Sequence, residues 1–137
     1  MKQIILAILI VVGMSARDAN ADEARNMAVE NVITRQIEAF RADDVERAFE
    51  FASPTIQRIF RNPQVFGHMV QHGYPMVWRA GDVEFLELRM VDGQLKQKVG
   101  IRDTTGDTHL LDYHMIKQDG TWKINGVELL KLPGMAV

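Results

Sequence analysis

The chain contains no cysteine at any of its 137 positions, which excludes disulfide scaffolds and cysteine-based metal or redox sites. Proline is scarce, with four residues, and glycine, with ten, is not enriched, so collagen-like and other low-complexity classes are also excluded. Neither sign of charge dominates, since 16 Lys and Arg stand against 18 Asp and Glu. A mildly acidic chain with dispersed basic residues lacks the concentrated positive surface that nucleic-acid binding requires.

The longest apolar run lies near the amino terminus, from Ile4 to Met14. It follows a lysine and precedes a polar stretch that ends in Ala19-Asn20-Ala21, a pattern typical of a cleaved secretory signal. The run is too short for a transmembrane helix, which takes roughly 20 residues, although an uncleaved anchor is the alternative. We expect residues 1–21 to be a signal peptide cleaved after Ala21. The protein would then be periplasmic in a Gram-negative source and secreted otherwise, without a stable membrane anchor.

The remaining residues, 22–137, are expected to form a single α+β domain, because helical spacing changes to strand spacing near 74–81. A first helix is predicted over about Asp22 to Ala42, and Asp43 is expected to cap a second helix. Ser53-Pro54 and Asn62-Pro63 each combine a capping residue with proline at the first helical position, so each predicts a further helix. The apolar stripe of the first helix consists of Val29, Val32, Ile33, Ile37 and Phe40.

Three turn signals divide the second half of the chain at regular intervals, at Asp92-Gly93, Thr105-Gly106 and Asp119-Gly120. They predict an antiparallel meander of at least four strands. With Asp92-Gly93 as a two-residue turn, Val91 pairs with Gln94, and Phe85 falls opposite Gly100. In the last strand, the apolar residues before and after Asn125-Gly126 would face opposite sides of a regular strand. A bulge at Asn125-Gly126 is therefore predicted, because it turns both sets toward one core.

This register predicts which side chains face the core. The inner face of the first hairpin carries Leu86, Leu88, Met90, Leu95, Val99 and Ile101, while the outer face pairs Glu87 with Lys98 and Arg89 with Lys96. A three-residue loop at 104–106 turns Leu111, Tyr113 and Met115 inward, whereas a two-residue loop would turn Asp112 and His114 inward instead. The first alternative buries no charge and is the prediction.

The sequence resembles an exported bacterial family, domain of unknown function 4864. The likeness rests on Ile37-Glu38-Ala39-Phe40-Arg41-Ala42-Asp43-Asp44, Ala52-Ser53-Pro54-Thr55-Ile56-Gln57, Gly73-Tyr74-Pro75 and Asp119-Gly120-Thr121-Trp122-Lys123-Ile124-Asn125-Gly126-Val127. The order of helices and strands also resembles the nuclear-transport-factor-2-like fold. That resemblance implies a cone-shaped sheet closed by helices around an interior pocket. Neither resemblance implies a reaction, because the wider fold includes isomerases, dehydratases and non-catalytic modules.

A ligand pocket is predicted on the inner face of the sheet, around the hydroxyl of Tyr113. Buried phenols normally have a hydrogen-bond partner, and Gln97 and Glu84 are the expected partners or ligand contacts. Tyr74 and Trp78 are expected at the pocket mouth, and Trp122 near the same rim. The alternative is that all of these side chains serve packing alone.

The outer face of the sheet is predicted to be half apolar, with Phe85, Leu110, His114 and Ile116, which favours a homodimer through this face. Asp112 and His114 share that face. Because the face lies outside the predicted pocket, we do not interpret them as a catalytic dyad. His68 and His72 are spaced for one metal ion, yet they lie off the apolar stripe of their helix, so no metal site is predicted.

The sequence is compatible with three functions. The first is a non-catalytic module that binds a small molecule or a peptide, the second is a structural or interaction homodimer, and the third is an isomerase- or dehydratase-like enzyme with an interior acid or base. No catalytic residue is assigned, and no cofactor, metal or nucleic-acid partner is expected. Biochemical activity is not encoded in a recognisable motif.

Overall fold

The computed structural model describes residues 12–131. Residues 1–11, with most of the apolar run of the predicted signal peptide, lie outside the described residues. The described chain has helices followed by one sheet: α1 Val12–Arg41, α2 Val45–Glu50, α3 Pro54–Phe60, α4 Pro63–Gly73, α5 Pro75–Trp78, β1 Val83–Val91, β2 Gln94–Arg102, β3 Thr108–Gln118 and β4 Thr121–Leu130. No helix within these described residues is both long enough and apolar enough to cross a bilayer.

The long helix α1 buries the stripe that its sequence predicts. Val29, Ile33 and Phe40 are fully buried, and Ile37 is nearly so, because intervals of three and four place them on one face. They form one core cluster with the inner-face residues of the sheet. The described part of this helix starts at Val12, so helical structure is present ten residues before the predicted start near Asp22.

The short helices begin at capping residues, as the sequence indicates. The side chains of Ser53 and Asn62 accept hydrogen bonds from the backbone N–H groups of Ile56 and Val65, and proline follows each cap. The cap predicted for α2 is wrong by one residue: Asp44 accepts from Arg47, while Asp43 adopts a left-handed conformation with φ of 56°. Asp43 is therefore the turn residue between α1 and α2.

The sheet is the predicted antiparallel meander, with strand order β1-β2-β3-β4. Val91 pairs with Gln94 across a turn in which Asp92 and Gly93 both have positive φ. The parity of β3 is confirmed, because Leu111, Tyr113 and Met115 are buried. The bulge on β4 is also confirmed: His114 pairs with Gly126 and Met115 with Ile124, which leaves Asn125 unpaired.

The register at the start of β1 differs from the prediction. A bulge between Phe85 and Leu88 inserts one residue, so Phe85 pairs with Val99, and Glu84 pairs with Gly100. Phe85 is thereby turned inward and packs against the core, while Glu84 is exposed on the outer face. Burying the aromatic ring and leaving the carboxylate in solvent is the more favourable arrangement.

The inner face of β1 is less buried than predicted because β1 is an edge strand. Leu86 lies in the bulge and is exposed, and Met90 is 60% exposed near the end of the strand. Leu95, Val99 and Ile101 on the neighbouring strand are buried as predicted. The core therefore centres on β2 and β3 beneath α1.

Candidate functional site

A cavity of about 260 Å³ lies between the helices and β4. Its lining is mostly apolar: Gln36, Phe40, Ala52, Ile56, Phe60, Phe66, Met69, Val70, Tyr74, Val77, Ile124, Gly126 and Val127. The lining residues from α1 and α5 and Ile124 of β4 are buried, whereas those at the rim, such as Ile56, Met69 and Val127, are partly exposed. The cavity therefore has a closed floor and a mouth between α3, α4 and β4.

The wall formed by α3 and β4 is fixed by Ser53. Its hydroxyl donates to Oδ1 of Asn125 at 2.7 Å, and its backbone N–H donates to the carbonyl of Ile124 at 2.8 Å. The N–H of Ile124 in turn donates to the carbonyl of Phe51 at 2.9 Å. The β4 bulge thus anchors the start of α3, which positions Ile56 and Phe60 along the cavity.

The polar side chains of the lining are Gln36 and Tyr74. Gln36 is buried and its Nε2 donates to the carbonyl of Ala48 at 3.1 Å. The hydroxyl of Tyr74 donates to the carbonyl of Val127 at 3.1 Å. The lining residues include no carboxylate, imidazole or amine, so the cavity can accommodate an apolar group and orient it through the oxygens of Gln36 and Tyr74.

Of the predicted pocket residues, only Tyr74 lines this cavity. Trp78 packs against Phe40, with ring centroids 5.7 Å apart, and the guanidinium of Arg79 lies 4.9 Å from its ring. Trp122 lies away from the cavity, where the ammonium of Lys117 is 5.8 Å from its ring. The two tryptophans occupy separate places and do not form a common rim.

The predicted partners of Tyr113 do not reach its hydroxyl. Tyr113 is fully buried, and its hydroxyl has no hydrogen-bond partner among the described residues. Gln97 lies opposite it, but its Nε2 donates to the carbonyls of Leu86 and Lys98, which satisfies the backbone at the β1 bulge. Burial raises the pKa of Tyr113 above its usual value. The prediction of Glu84 as an inner-face residue is wrong because of the bulge.

The outer face of the sheet is organised around a buried ion pair. The two terminal guanidinium nitrogens of Arg89, Nη1 and Nη2, donate to Asp112 at 2.7 and 2.6 Å, and the Asp112 side chain is only 4% exposed. Hydrogen bonds from Arg89 hold the pKa of Asp112 below its usual value. The predicted pair of Lys98 and Glu87 is confirmed, with 3.0 Å between the charged atoms.

His114 is not paired with Asp112. Its Nε2 lies 3.6 Å from Glu128 instead, while Asp112 is bound to Arg89. Leu110 and Ile116 lie on the same outer face and are partly buried. Phe85, predicted as part of a dimer face here, is on the inner face. The outer face is therefore more charged and less apolar than predicted from the sequence.

The two histidines of α4 lie close together on the exposed side of the helix. Their ring centroids are 4.1 Å apart, and Nδ1 of His72 is 2.8 Å from the carbonyl oxygen of His68. Over the part of the chain that the structure describes, no group of three or more metal-ligating side chains is arranged to hold an ion. A two-histidine set without a third ligand does not make a closed protein metal site.

A family model described as domain of unknown function (DUF4864) matches residues 22–137. The chain belongs to this family. No curated protein and no solved structure is significantly similar to it. The DUF4864 match covers every residue that lines the cavity and begins at Asp22, the residue that directly follows the predicted cleavage site.

The principal cavity residues of this DUF4864 chain were not predicted from its sequence. One signal was present: Gln36 interrupts the apolar stripe of α1 between Ile33 and Phe40, and a polar residue at a buried helix position often marks a polar contact or a ligand. The apolar residues Ile56, Phe60 and Met69 gave no such signal. Core packing and cavity lining require the same residue types.

Proposed function

We propose that this protein is an exported, non-catalytic binding protein that holds a small apolar molecule, or the apolar part of a larger one, in the cavity between the helices and β4. The observation that carries the proposal is the cavity itself, with its closed apolar floor and half-exposed rim. Cavities lined by apolar side chains remain dry and bind apolar guests. A few polar groups at such a site provide orientation.

The composition of the lining favours binding over catalysis. General acid–base catalysis needs a titratable side chain within hydrogen-bond reach of the reacting group. The titratable side chain of the cavity is Tyr74, and its hydroxyl donates a hydrogen bond to the backbone carbonyl of Val127. Glu84, the carboxylate that was predicted on the inner face, lies on the outer face and not beside the buried Tyr113. The isomerase- or dehydratase-like alternative therefore loses the interior carboxylate that supported it.

Export and the finer fold assignment belong to this proposal. The signal-like pattern of residues 1–21 supports export, as does the start of the family match at residue 22. Helices that pack on one face of a bulged antiparallel meander support a nuclear-transport-factor-2-like architecture, in which a sheet and its helices enclose a pocket. A periplasmic or secreted binding protein is consistent with both.

Probe binding tests the proposal. The protein is titrated with 1-aminoanthracene, a flat apolar fluorophore, and the emission increase gives the dissociation constant. Val70→Trp places a large ring in the cavity and is expected to abolish the increase; Ile56→Trp at the rim is a second variant in case the first does not fold. Val65→Trp on the exposed side of the same helix is the matched control and should bind like the parent.

Two results would contradict the proposal. One is the absence of an emission increase with the folded parent protein. The other is equal binding by the parent and both folded cavity variants, because the probe would then occupy another site. Mass spectrometry of the protein purified after export would identify a natural ligand, since a bound apolar molecule should be retained in the parent and lost from Val70→Trp.

A homodimer through the outer sheet face is the second candidate. The buried apolar strand residues all belong to the inner-face core, which leaves the outer face uncovered among the described residues, with Leu110 and Ile116 available for a second copy. Sedimentation at increasing concentration should show a dimer that Ile116→Asp dissociates. A parent protein that stays monomeric, or a dimer unaffected by Ile116→Asp, would exclude this interface.

A further inference from the structure

The segment 51–81 contains no aspartate or glutamate, although the chain has 18 acidic residues. It carries three arginines, Arg58, Arg61 and Arg79, which leaves 13 basic residues against all 18 acidic ones elsewhere. This segment forms α3, α4 and α5, the helices beside the cavity mouth. A mildly acidic protein therefore has one helical region of opposite charge.

The free charge of this region lies on α3. Arg79 is paired with Asp43, whereas neither Arg58 nor Arg61 forms an ion pair within residues 12–131. Both side chains belong to exposed residues, and they flank the sequence Ile59-Phe60. The positive charge is thus presented to solvent next to apolar side chains.

Helices α3 and α4 also expose large apolar side chains. Ile59 is 63% exposed and Val65 is 49% exposed, next to the partly buried rim residues Phe60 and Met69 of the cavity. His68 and His72 follow on the exposed side of α4. We call Arg58, Ile59, Arg61, Val65, His68 and His72 the α3–α4 surface.

We propose that the α3–α4 surface docks on the surface of an anionic phospholipid membrane. Exposed apolar side chains interleaved with basic ones are the pattern by which peripheral proteins bind at the boundary between lipid headgroups and acyl chains. Because the segment has no acidic residues, α3 and α4 themselves add no repulsion to an anionic surface. Docking here would bring the cavity mouth to the lipid surface; that consequence rests on the proposed function, whereas the docking itself does not.

Charge complementarity distinguishes this occupant from a second copy of the chain. An isologous contact through this surface would oppose Arg58 and Arg61 to the same residues of the other copy, and like charges in such a contact repel. The apolar side chains are separate protrusions of two short helices, which suits insertion among headgroups. An acidic partner protein would bind to the same two arginines. Retention of the protein on a column of immobilised acidic peptide tests that alternative.

Vesicle flotation tests the proposal. The protein, produced from its full chain, is mixed with phosphatidylcholine vesicles or with phosphatidylcholine vesicles that contain phosphatidylglycerol. We expect binding to the anionic vesicles alone, weakened by salt. Each arginine near an anionic surface contributes about fivefold to the partition coefficient, so Arg58→Gln with Arg61→Gln should reduce it roughly 20- to 30-fold.

Matched controls separate this surface from charge and apolarity in general. Arg35→Gln with Arg102→Gln removes the same charge from exposed positions on α1 and β2, and Met27→Ser removes a 64% exposed side chain from α1. These variants should bind like the parent, whereas Ile59→Ser should bind roughly fivefold to tenfold less. The cavity variant Val70→Trp should retain vesicle binding while losing the fluorophore, so the two proposals can fail separately.

Three outcomes would overturn the inference. The first is no binding to anionic vesicles. The second is equal binding to vesicles without phosphatidylglycerol, which indicates an uncleaved leader or general apolar adsorption. The third is an equal loss in the control pair Arg35→Gln with Arg102→Gln. Retention of the protein by an acidic peptide column, without any vesicle binding, would assign the surface to a protein partner instead.

Discussion

The two halves of the core differ in how completely they are filled. The side chains of Ile33 on α1 and of Val99, Leu111 and Tyr113 on the sheet are fully buried in one core cluster. At the corner of α3, α4 and β4, equally apolar residues surround a cavity of about 260 Å³. Hydrophobic composition alone therefore does not determine packing density.

The geometry of the elements explains the difference. A long helix presents a regular apolar stripe to the regular rows of an antiparallel sheet, and such surfaces interdigitate closely. Three short helices that restart at Ser53, Asn62 and Tyr74 change direction each time. Phe66 of α4 lies 5.3 to 5.9 Å from Phe40 of α1, Phe49 of α2 and Phe60 of α3, with angles of 33° to 67° between the ring planes. Such a cluster leaves space that a regular interface would fill.

The largest expected difference between the halves comes from matched isoleucine truncations. Ile33→Ala opens a new cavity in the filled half and should lower the free energy of unfolding by about 3 to 4 kcal/mol. Ile56→Ala only enlarges the existing cavity and should cost about 1 kcal/mol. Urea unfolding measures both values. Equal costs would show that the corner is as tightly packed as the centre.

The filled half is also stabilised from its outer face, by Arg89 and Asp112. Arg89→Ala leaves a buried carboxylate without its partner and should cost about 3 kcal/mol at neutral pH. Asp112→Ala in the same background should recover part of that loss. Lys98→Ala, in the more exposed pair with Glu87, is the control and should cost less than about 1 kcal/mol. Equal effects of Arg89→Ala and Lys98→Ala would contradict the distinction.

The same pair predicts a pH dependence. Because Arg89 lowers the pKa of Asp112 in the folded state, the stabilisation is complete above the unfolded value of about 4 and is lost as the pH falls through the folded value. Chemical unfolding at a series of pH values should show the parent losing stability below pH about 4 more steeply than Asp112→Asn. Parallel curves would show that the pair does not contribute.

A smaller difference in the free energy of unfolding is expected when a valine in each half of the core is enlarged by one methylene group. Val99→Ile overfills the centre and should cost about 1 to 2 kcal/mol. Val70→Ile extends into the cavity and should be neutral or slightly stabilising, because the added group finds unoccupied space. Thermal unfolding of the two variants compares them directly. A cost at Val70 equal to that at Val99 would mean that the cavity wall cannot accept the added group.

The smallest difference concerns one hydroxyl in each half. Tyr74→Phe removes the hydrogen bond to Val127 and should cost about 1 kcal/mol. Tyr113→Phe removes a hydroxyl that has no partner among the described residues and should be neutral or slightly stabilising. Burial raises the pKa of Tyr113, so the stability of the parent should fall above pH about 10, and that of Tyr113→Phe should fall less. A cost for Tyr113→Phe at neutral pH would reveal a partner for its hydroxyl.

Much of the fold could be predicted from local rules. The caps at Ser53 and Asn62 and the turn at Asp92-Gly93 each depend on a few neighbouring residues. The parity of β3 followed from the length of one loop, and the apolar alternation of β4 required a bulge at Asn125. The candidate site could not be predicted in the same way, since of the proposed pocket residues only Tyr74 lines the cavity. Ile56 and Val70 have the same apolar character as core residues.

The sequence by itself determined where α3 and α4 begin, where the strands turn and which face of α1, β2 and β3 is apolar, because backbone conformation and side-chain alternation act over a few residues. Tertiary structure decided the rest through contacts between distant residues. Gln97 donates a hydrogen bond to the carbonyl of Leu86 in the β1 bulge. Arg89 binds Asp112 across the sheet, and Ser53 holds the start of α3 to Asn125. These contacts set the β1 register, bury a charge on the outer face and hold the cavity wall in place. Their energies depend on burial and geometry that exist only after the chain has folded.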